Sequence, residues 1–374
     1  LVALALLVIV LVVLALIVLV LLLVLLLVEH QEDDEQAEAA APAPAAEHGL
    51  VTTRTHEPAS RASVDDARGA SSWRALGTYV ELRTTPDAVA AATELAAQVL
   101  AEVDMTCSRF RDDSDLMRAN AAAGEAVEVS PVLVGAVRLA LEAAADTDGL
   151  VDPLLGEVLR SAGYDRTFSL VPANDPAPTA LPVRAGSWQQ VVVTDTTVTV
   201  PRGAALDLGA TGKAFAADLV ALTITNTLGV PVLACVGGDI RAAAPADEPQ
   251  DQPVVLGHSL ADLAAGGPST LVRLARGGLA TSSVSARRWR RGGRQWHHLV
   301  DPRTGLPATG PWRTVTALGH TCAAANAATT ASIVLGDTAH DWLVTRNVAA
   351  RLVDHDDCVT RTPAWTASGI EESS

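Results

Sequence analysis

The sequence predicts an α+β fold, one large domain with mixed and antiparallel sheets and packed helices, and three features point there. Strand-like runs recur along the chain without the regular β-α alternation of a doubly wound parallel sheet. One pair of them, Gln189 to Pro201, sets two β-branched runs about a polar turn, which is a hairpin signal. Two segments carry clear helix-start chemistry, Thr85-Pro86-Asp87 and Ser130-Pro131. With 374 residues, 49% of them hydrophobic, the chain is long enough to bury a sizeable core, and no repeat of fixed period interrupts it.

Taken in order, residues 1–28 are almost wholly Leu, Val, Ile and Ala, a run whose helical length of about 1.5 Å per residue exceeds a hydrocarbon core of roughly 30 Å. This predicts a transmembrane helix. Its length, and the absence of Lys or Arg ahead of it, favour an uncleaved anchor over a removed signal. Residues 29–72 are rich in Ala, Pro, Glu and Asp without apolar periodicity, which predicts a disordered acidic tether. The folded domain is then expected over 73–360, with 361–374 as a tail.

Within that domain, Leu76 to Arg83 reads as a strand and the helix after Thr85 runs to about Val103, with Val89, Ala96, Leu100 and Val103 on its inner face. The helix begun at Ser130-Pro131 runs to Ala145 and stops at Asp146-Thr147-Asp148-Gly149. A third helix covers Lys213 to Thr227. Strands follow at Val230 to Val236, Pro253 to Leu256, Thr270 to Leu274, Trp296 to Val300 and Arg313 to Leu318, with a helix of small residues from Cys322 to Leu335.

Composition excludes some roles. The formal net charge is -16, with the acidic excess concentrated between Glu29 and Asp66, which argues against nucleic acid as a partner. The one basic run, Arg287 to Arg294, is either a solvated hairpin or a contact for a phosphate-bearing small molecule. The four cysteines are widely spaced and form no CxxC pair, so they define neither a metal finger nor a redox compartment.

Several stretches carry chemistry. In "LDLGATGKAFAAD", Gly209 and Gly212 open a helix with Lys213 in its first turn, a pattern open to two readings, an ordinary helix start or a contact for phosphate. "CVGGDIRA" ends a buried strand with paired glycines and Asp239, which either binds a ligand hydroxyl or caps a turn. Asn326 and Thr330 lie four residues apart on one helix face, an oxygen pair suited to a hard cation such as Mg²⁺ or to bonds within their own helix. "SRFRDDSDLMRAN" joins Phe110 and Ser114 to arginines, and with 3% aromatics few other side chains are candidates for stacking on a flavin or base. "HHLVDPRTGLP" places His297, His298, Asp301 and Arg303 at a strand end and turn, with the two histidines expected on opposite faces.

In order along the chain, "SRFRDDSDLMRAN", "DGLVDPLLG", "GYDRTF", "LDLGATGKAFAAD", "GGDIRA", "GLATSS", "HHLVDPRTGLP" and "TCAAANAATTASIVLG" together resemble the ApbE family of FAD:protein FMN transferases. The resemblance implies a T-fold-like domain and a Mg²⁺-dependent enzyme that moves FMN from FAD onto a Thr or Ser hydroxyl of a target flavoprotein, releasing AMP. It implies that His298 is the reactive histidine, a role suited to an imidazole because its ordinary pKa of about 6.5 lets it take a proton near neutrality. It implies flavin-nucleotide contacts at Phe110, Ser114, Lys213, Asp239, Asp301 and Arg303, and metal contacts at Gly212 through its backbone, at Asn326 and at Thr330. Where the family has an aspartate, this chain has Asn326, which keeps an oxygen but removes a charge and so implies weaker Mg²⁺ binding. That departure keeps an alternative in view, an FAD-binding protein or FAD pyrophosphatase with little transferase activity. The apolar run predicts a membrane-anchored chain, and the catalytic domain is expected outside the cytoplasm.

Overall fold

The computed structural model describes residues 62–122, 124–171, 174–175, 187–247, 251–257, 269–285, 287–368 and 371–373, all within one compact unit, Arg54–Ser374. The run 1–28 and most of the acidic stretch lie outside these residues. Among the described residues no helix is long and apolar enough to cross a membrane.

A nine-stranded sheet forms the frame: β1 (Ser63–Asp65), β2 (Ala70–Ala75), β3 (Thr78–Arg83), β4 (Val232–Val236), β5 (Asp239–Ala243), β6 (Gly277–Ser283), β7 (Trp312–Gly319), β8 (Ala350–Asp354) and β9 (Val359–Arg361). Spatial order follows chain order, and every neighbouring pair is antiparallel. The α+β expectation of antiparallel sheets with packed helices is therefore met. A parallel pairing does occur outside this sheet, between Arg290–Arg291 and Asn174–Asp175.

Helices fill the connections. They include α1 (Val89–Cys107), α2 (Asp115–Ala121), α3 (Pro131–Asp146), α4 (Gly156–Ser161), α5 (Gly212–Leu228) and α6 (Cys322–Leu335). The Thr85-Pro86 start opens with a single 3-10 turn before α1, and the inner-face residues Val89, Ala96, Leu100 and Val103 are all buried. Ser130 caps α3 by accepting the Leu133 N–H at 3.2 Å, with Pro131 at the first helical position. Asp148 and Gly149, both at positive φ, end that helix as "DTDG" suggests.

Period-two alternation decides what each face of the sheet covers. In β4, Val232, Ala234 and Val236 join the large core beneath α1 and α5, whereas Leu233 points into a second cluster with Ile240, Val254, Val272 and Trp365. That second cluster lies under a small sheet of Gln252–Leu256, Ser269–Leu274 and Glu371–Ser373. The helical face holds α5 against β4 and β5, and α6 against β6 and β7.

Two boundaries differ from expectation. The tether drawn to residue 72 is too long, because Ser63–Asp65 and Ala70–Ala75 pair as β1 and β2, with Trp73 anchored at 5% exposure in the main core. The stretch beyond residue 360 is no tail either. Thr362 caps a short helix, Pro363–Ala367, that buries Trp365 to 1% exposure on the far face of the sheet.

One close approach sets the position of α6. A Cβ at Gly278, on β6, would stand 2.2 Å from the Cys322 amide nitrogen and 2.3 Å from the Thr321 carbonyl carbon, so only glycine lets the strand and the helix start meet. Both neighbours are backbone and cannot swing away. Gly278→Ala is therefore expected to destabilise the domain by about 2–3 kcal/mol, read as a lower urea midpoint at unchanged slope.

Candidate active site

The loop into α5 is fixed from both sides. Asn120 of α2 clamps Leu206 with its whole amide, Nδ2 donating to the carbonyl at 2.9 Å and Oδ1 accepting the N–H at 2.7 Å. Asp207 Oδ1 then accepts the Gly209 N–H at 2.6 Å, and the Leu208 carbonyl accepts from Thr211 and Gly212 at 3.1 and 2.6 Å. Thr211 provides no side-chain cap, so the first amides of α5 are left to a ligand or to water, beside the Lys213 ammonium. As the first helical residue, Gly212 commits its carbonyl to the helix ladder, whereas Gly209 and Ala210 line the same cleft from the loop.

Behind Lys213 lies a buried polar cluster. Gly237 and Gly238, at φ 62° and 91°, turn β4 tightly into β5 and deliver Asp239 to the first position of that strand. Its Oδ2 is 3.5 Å from Lys213 Nζ, and its Oδ1 accepts from Asn326 Nδ2 at 3.3 Å. Burial raises the Asp239 pKa above the usual carboxylate range, opposed by the Lys213 charge and the Asn326 amide. Asn326 Oδ1 is buried with no hydrogen-bond partner. One turn later, Thr330 Oγ1 is 3.2 Å from Ser282 Oγ on β6.

The strand expected over Trp296 to Val300 is broken. Pairing stops at His297 and resumes at Val300–Asp301, so His298 stands in the gap between two strands. His298 faces the cleft, while His297 is buried with Nε2 3.0 Å from the Ala308 carbonyl oxygen. Asp301 and Arg303 face each other across the following turn in a two-point ion pair, Nε to Oδ1 and Nη2 to Oδ2 both at 2.9 Å. Arg303 Nη2 also donates to the Val334 carbonyl at 3.2 Å, which ties this turn to the C-terminal end of α6.

These elements enclose one cleft lined by Phe110, Gly212, Lys213, His298 and Thr330 among the expected residues. Asp239 and Asn326 lie beneath its floor. Asp301 and Arg303 stand in the turn beyond it, outside its lining. Ser114 does not reach it: fully buried, its hydroxyl caps α2 by accepting the Met117 N–H at 3.1 Å and donates to the Ser108 carbonyl at 2.7 Å.

The opposite wall is aromatic and contains residues that local pattern does not mark. Tyr164 and Phe168 join Phe110 there, with ring centroids 6.0 and 6.1 Å from the Tyr164 ring. Arg109 lies against two of these rings, its guanidinium carbon 4.2 Å from the Phe110 centroid and 4.4 Å from that of Tyr164. Its Nε is 3.0 Å from Asp207 Oδ2, so the aromatic wall is linked to the loop into α5. The only sequence signs of these residues are their places in the "SRFRDD", "GYDRTF" and "LDLG" stretches.

The ApbE family model matches residues 76–352. An FAD:protein FMN transferase of Treponema pallidum is 31% identical over 269 residues, covering 66% of this chain and 72% of that protein. One from Haemophilus influenzae is 24% identical over 308 residues, covering 76% and 86%. Among solved structures, an ApbE protein from Thermotoga maritima superposes with a TM-score of 0.65 at 22% identity, covering 79% of this chain and 97% of that one. The flavinyl transferase ApbE of Pseudomonas stutzeri gives 0.63 at 22% identity, covering 80% and 95%.

Burial lowers the His297 pKa, with the Ala308 carbonyl opposing and Arg288 adding to the effect. A histidine whose folded pKa lies below its unfolded value binds more protons when unfolded, so its stabilising contribution is present above about pH 6.5 and is lost as pH falls through the folded value. Urea unfolding of the wild type and of His297→Gln from pH 8 to 5 is expected to show the wild type losing stability more steeply below pH 6.5. Parallel curves would remove His297 from the pH response.

Proposed function

The chain belongs to the ApbE family, and from that premise we propose that it works as an FAD:protein FMN transferase in which His298 handles the proton and Lys213 the pyrophosphate. The observation that carries this reading is that Lys213, His298 and Thr330, far apart in sequence, line one cleft. The pyrophosphate of FAD suits the open amides of α5 and the Lys213 charge, and the flavin suits the wall of Phe110, Tyr164 and Phe168. In the transfer, the target's Thr or Ser oxygen bonds to the FMN phosphorus while the bond from that phosphorus to the bridging oxygen breaks. AMP leaves with the bridging oxygen, and the hydroxyl proton passes to His298.

The cluster also fits a hard cation in its donor chemistry. Asn326 Oδ1 is a buried oxygen without a partner, Thr330 adds a hydroxyl, and the loop around Gly209 to Gly212 adds carbonyls. Among the described residues no group of three or more His, Cys, Asp or Glu competes as a metal site. Mg²⁺ held by these oxygens would supply positive charge against the phosphate oxygens. Asp239 would carry the one buried negative charge of the cluster, since residue 326 is an amide.

The run of residues 1–28 supports a membrane-anchored chain, and the catalytic domain is proposed to lie outside the cytoplasm. Asn326 supports a second reading, FAD binding or hydrolysis to FMN and AMP with little transfer. Intact-mass measurement of a candidate FMN-acceptor domain after incubation with this protein, FAD and Mg²⁺ separates the readings. An adduct of FMN mass is expected, whereas free FMN without adduct would select the hydrolase.

Two variants test the assignment. His298→Ala is expected to reduce transfer by roughly 10²–10⁴-fold while FAD affinity, followed by flavin fluorescence, stays within a few-fold. A large loss of affinity would make His298 a binding residue. Asn326→Asp places a second carboxylate beside Asp239, and is expected to destabilise the metal-free domain by on the order of 2 kcal/mol. The same variant should lower the Mg²⁺ concentration that half-restores thermal stability by about tenfold. No change in that concentration would remove residue 326 from the cation site.

A further inference from the structure

On a molecule of net charge -16, the hairpin of Arg288–Arg291 and Arg294–His297 is the exception: from Arg287 to Arg294 it carries five arginines and no acid. Its turn is Gly292-Gly293, both at positive φ, the two-residue connection whose twist matches paired strands. Trp289 and Trp296 face each other across it in near-parallel stacking, 6.4 Å between centroids, and both are buried. Trp289 Nε1 donates to the Ala162 carbonyl at 2.8 Å. The hairpin is therefore a rigid element pinned by its inner face.

Three of its arginines are the unexplained part. Arg288 and Arg290 alternate with the buried Trp289, are exposed, and have no acidic partner among the residues whose side chains are described. Arg294, just past the turn on the Trp296 side of its strand, is exposed as well, with its guanidinium 6.0 Å from the Trp296 ring and no acid against it among the described residues. None of these three lines the cleft, whereas Arg287 does. Serving the nucleotide phosphates thus accounts for Arg287 and leaves the other three without a ligand.

Position indicates what they serve. Arg288 pairs across the hairpin with His297, the residue immediately before His298. At about 3.3 Å per residue, Arg294 stands roughly 13 Å from His298 along its strand. This rim is therefore within reach of the residues flanking an acceptor hydroxyl brought to His298. A basic rim attracts and orients an acidic segment.

We propose that Arg288, Arg290 and Arg294 form the docking surface for the second substrate, a protein with acidic residues within about five positions of the acceptor hydroxyl, that span being the reach of an extended segment over the hairpin. The proposal rests on the transferase reading. It adds the chemistry by which the target is selected.

The test uses the full chain, saturating FAD, and an FMN-acceptor domain made in two forms, with glutamates or with glutamines flanking its acceptor threonine. The triple variant Arg288→Glu, Arg290→Glu, Arg294→Glu is compared with wild type, and the double variant Arg288→Gln, Arg290→Gln replaces it if the triple variant fails to fold. The expected result is a KM for the glutamate form raised at least tenfold by charge reversal, or several-fold by the double variant. kcat and FAD affinity should stay within about twofold, the gap should close at 0.5 M salt, and the glutamine form should show no gap. An unchanged KM overturns the proposal. So does a parallel loss of FAD affinity, which assigns the arginines to the nucleotide, or arginine-dependent binding to phosphatidylserine vesicles with transfer unaffected, which assigns them to a membrane. If wild type transfers FMN to neither form and leaves it free, the transferase reading itself fails, an outcome distinct from normal transfer that ignores the arginines.

Discussion

The carboxylate of Asp218 holds the site together. It lies inside α5 and accepts the N–H groups of Cys322 and Ala323, each at 2.9 Å, so a side chain of one helix caps the start of the other. Lys213 stands near the start of α5 and Asn326 one turn into α6, so this single cap fixes the distance between the cationic and oxygen-donor halves of the cleft. Arg241 braces it, its Nε 3.6 Å from Asp218 Oδ1 while its guanidinium also donates to the His320 carbonyl just before α6. Burial raises the Asp218 pKa and the two amides oppose it, which is the balance expected of a carboxylate kept for position rather than for proton transfer.

Electrostatic economy explains the neighbouring cluster. Lys213, Asp239 and Asn326 form a chain of contacts at 3.5 and 3.3 Å with one positive charge, one negative charge and one neutral amide. A second carboxylate in that chain would leave an unbalanced charge under the cleft floor, where burial already disfavours the ionised form of Asp239. The amide instead donates to Asp239 and leaves its own oxygen without a partner. Asn326 is thus compatible with a stable fold in the absence of a cation, and the negative charge sits on Asp239, the hydrogen-bond partner of the position where the family resemblance places it.

How much was legible in the sequence follows from how local each signal is. Helix α6 reads from Cys322 to Leu335 because Thr321 is its cap, accepting the Ala324 N–H at 3.0 Å, and Gly336 ends it. Lys213, Asp239, His298 and Thr330 are marked by glycines and turns beside them. Strands β5 and β6 are obscured because glycine, serine and arginine give them little intrinsic strand preference, and they pair only because central places in the sheet require it. Ser114 misleads for a physical reason: a short hydroxyl before an acidic turn serves a ligand or a helix cap equally well, and only packing decides. The aromatic wall is illegible from periodicity, since Phe110 and Tyr164 meet across more than fifty residues of chain.

That wall shows how a chain poor in aromatics divides its resources. Of three phenylalanines and two tyrosines, Phe110, Phe168 and Tyr164 line the cleft, and the cores against the sheet are built largely from Ala, Val and Leu. Small side chains bring α5 and α6 close to the strands, as the backbone approach at Gly278 illustrates, and close approach gives the rigidity that large rings supply elsewhere. The rings are then available where a flat, polarisable surface matters. Arg109 completes the arrangement by stacking on two of them while pairing with Asp207, so the apolar wall and the polar loop move as one unit. A flavin bound against the wall would therefore find its pyrophosphate register already set by the loop into α5, before any contact from the acceptor protein.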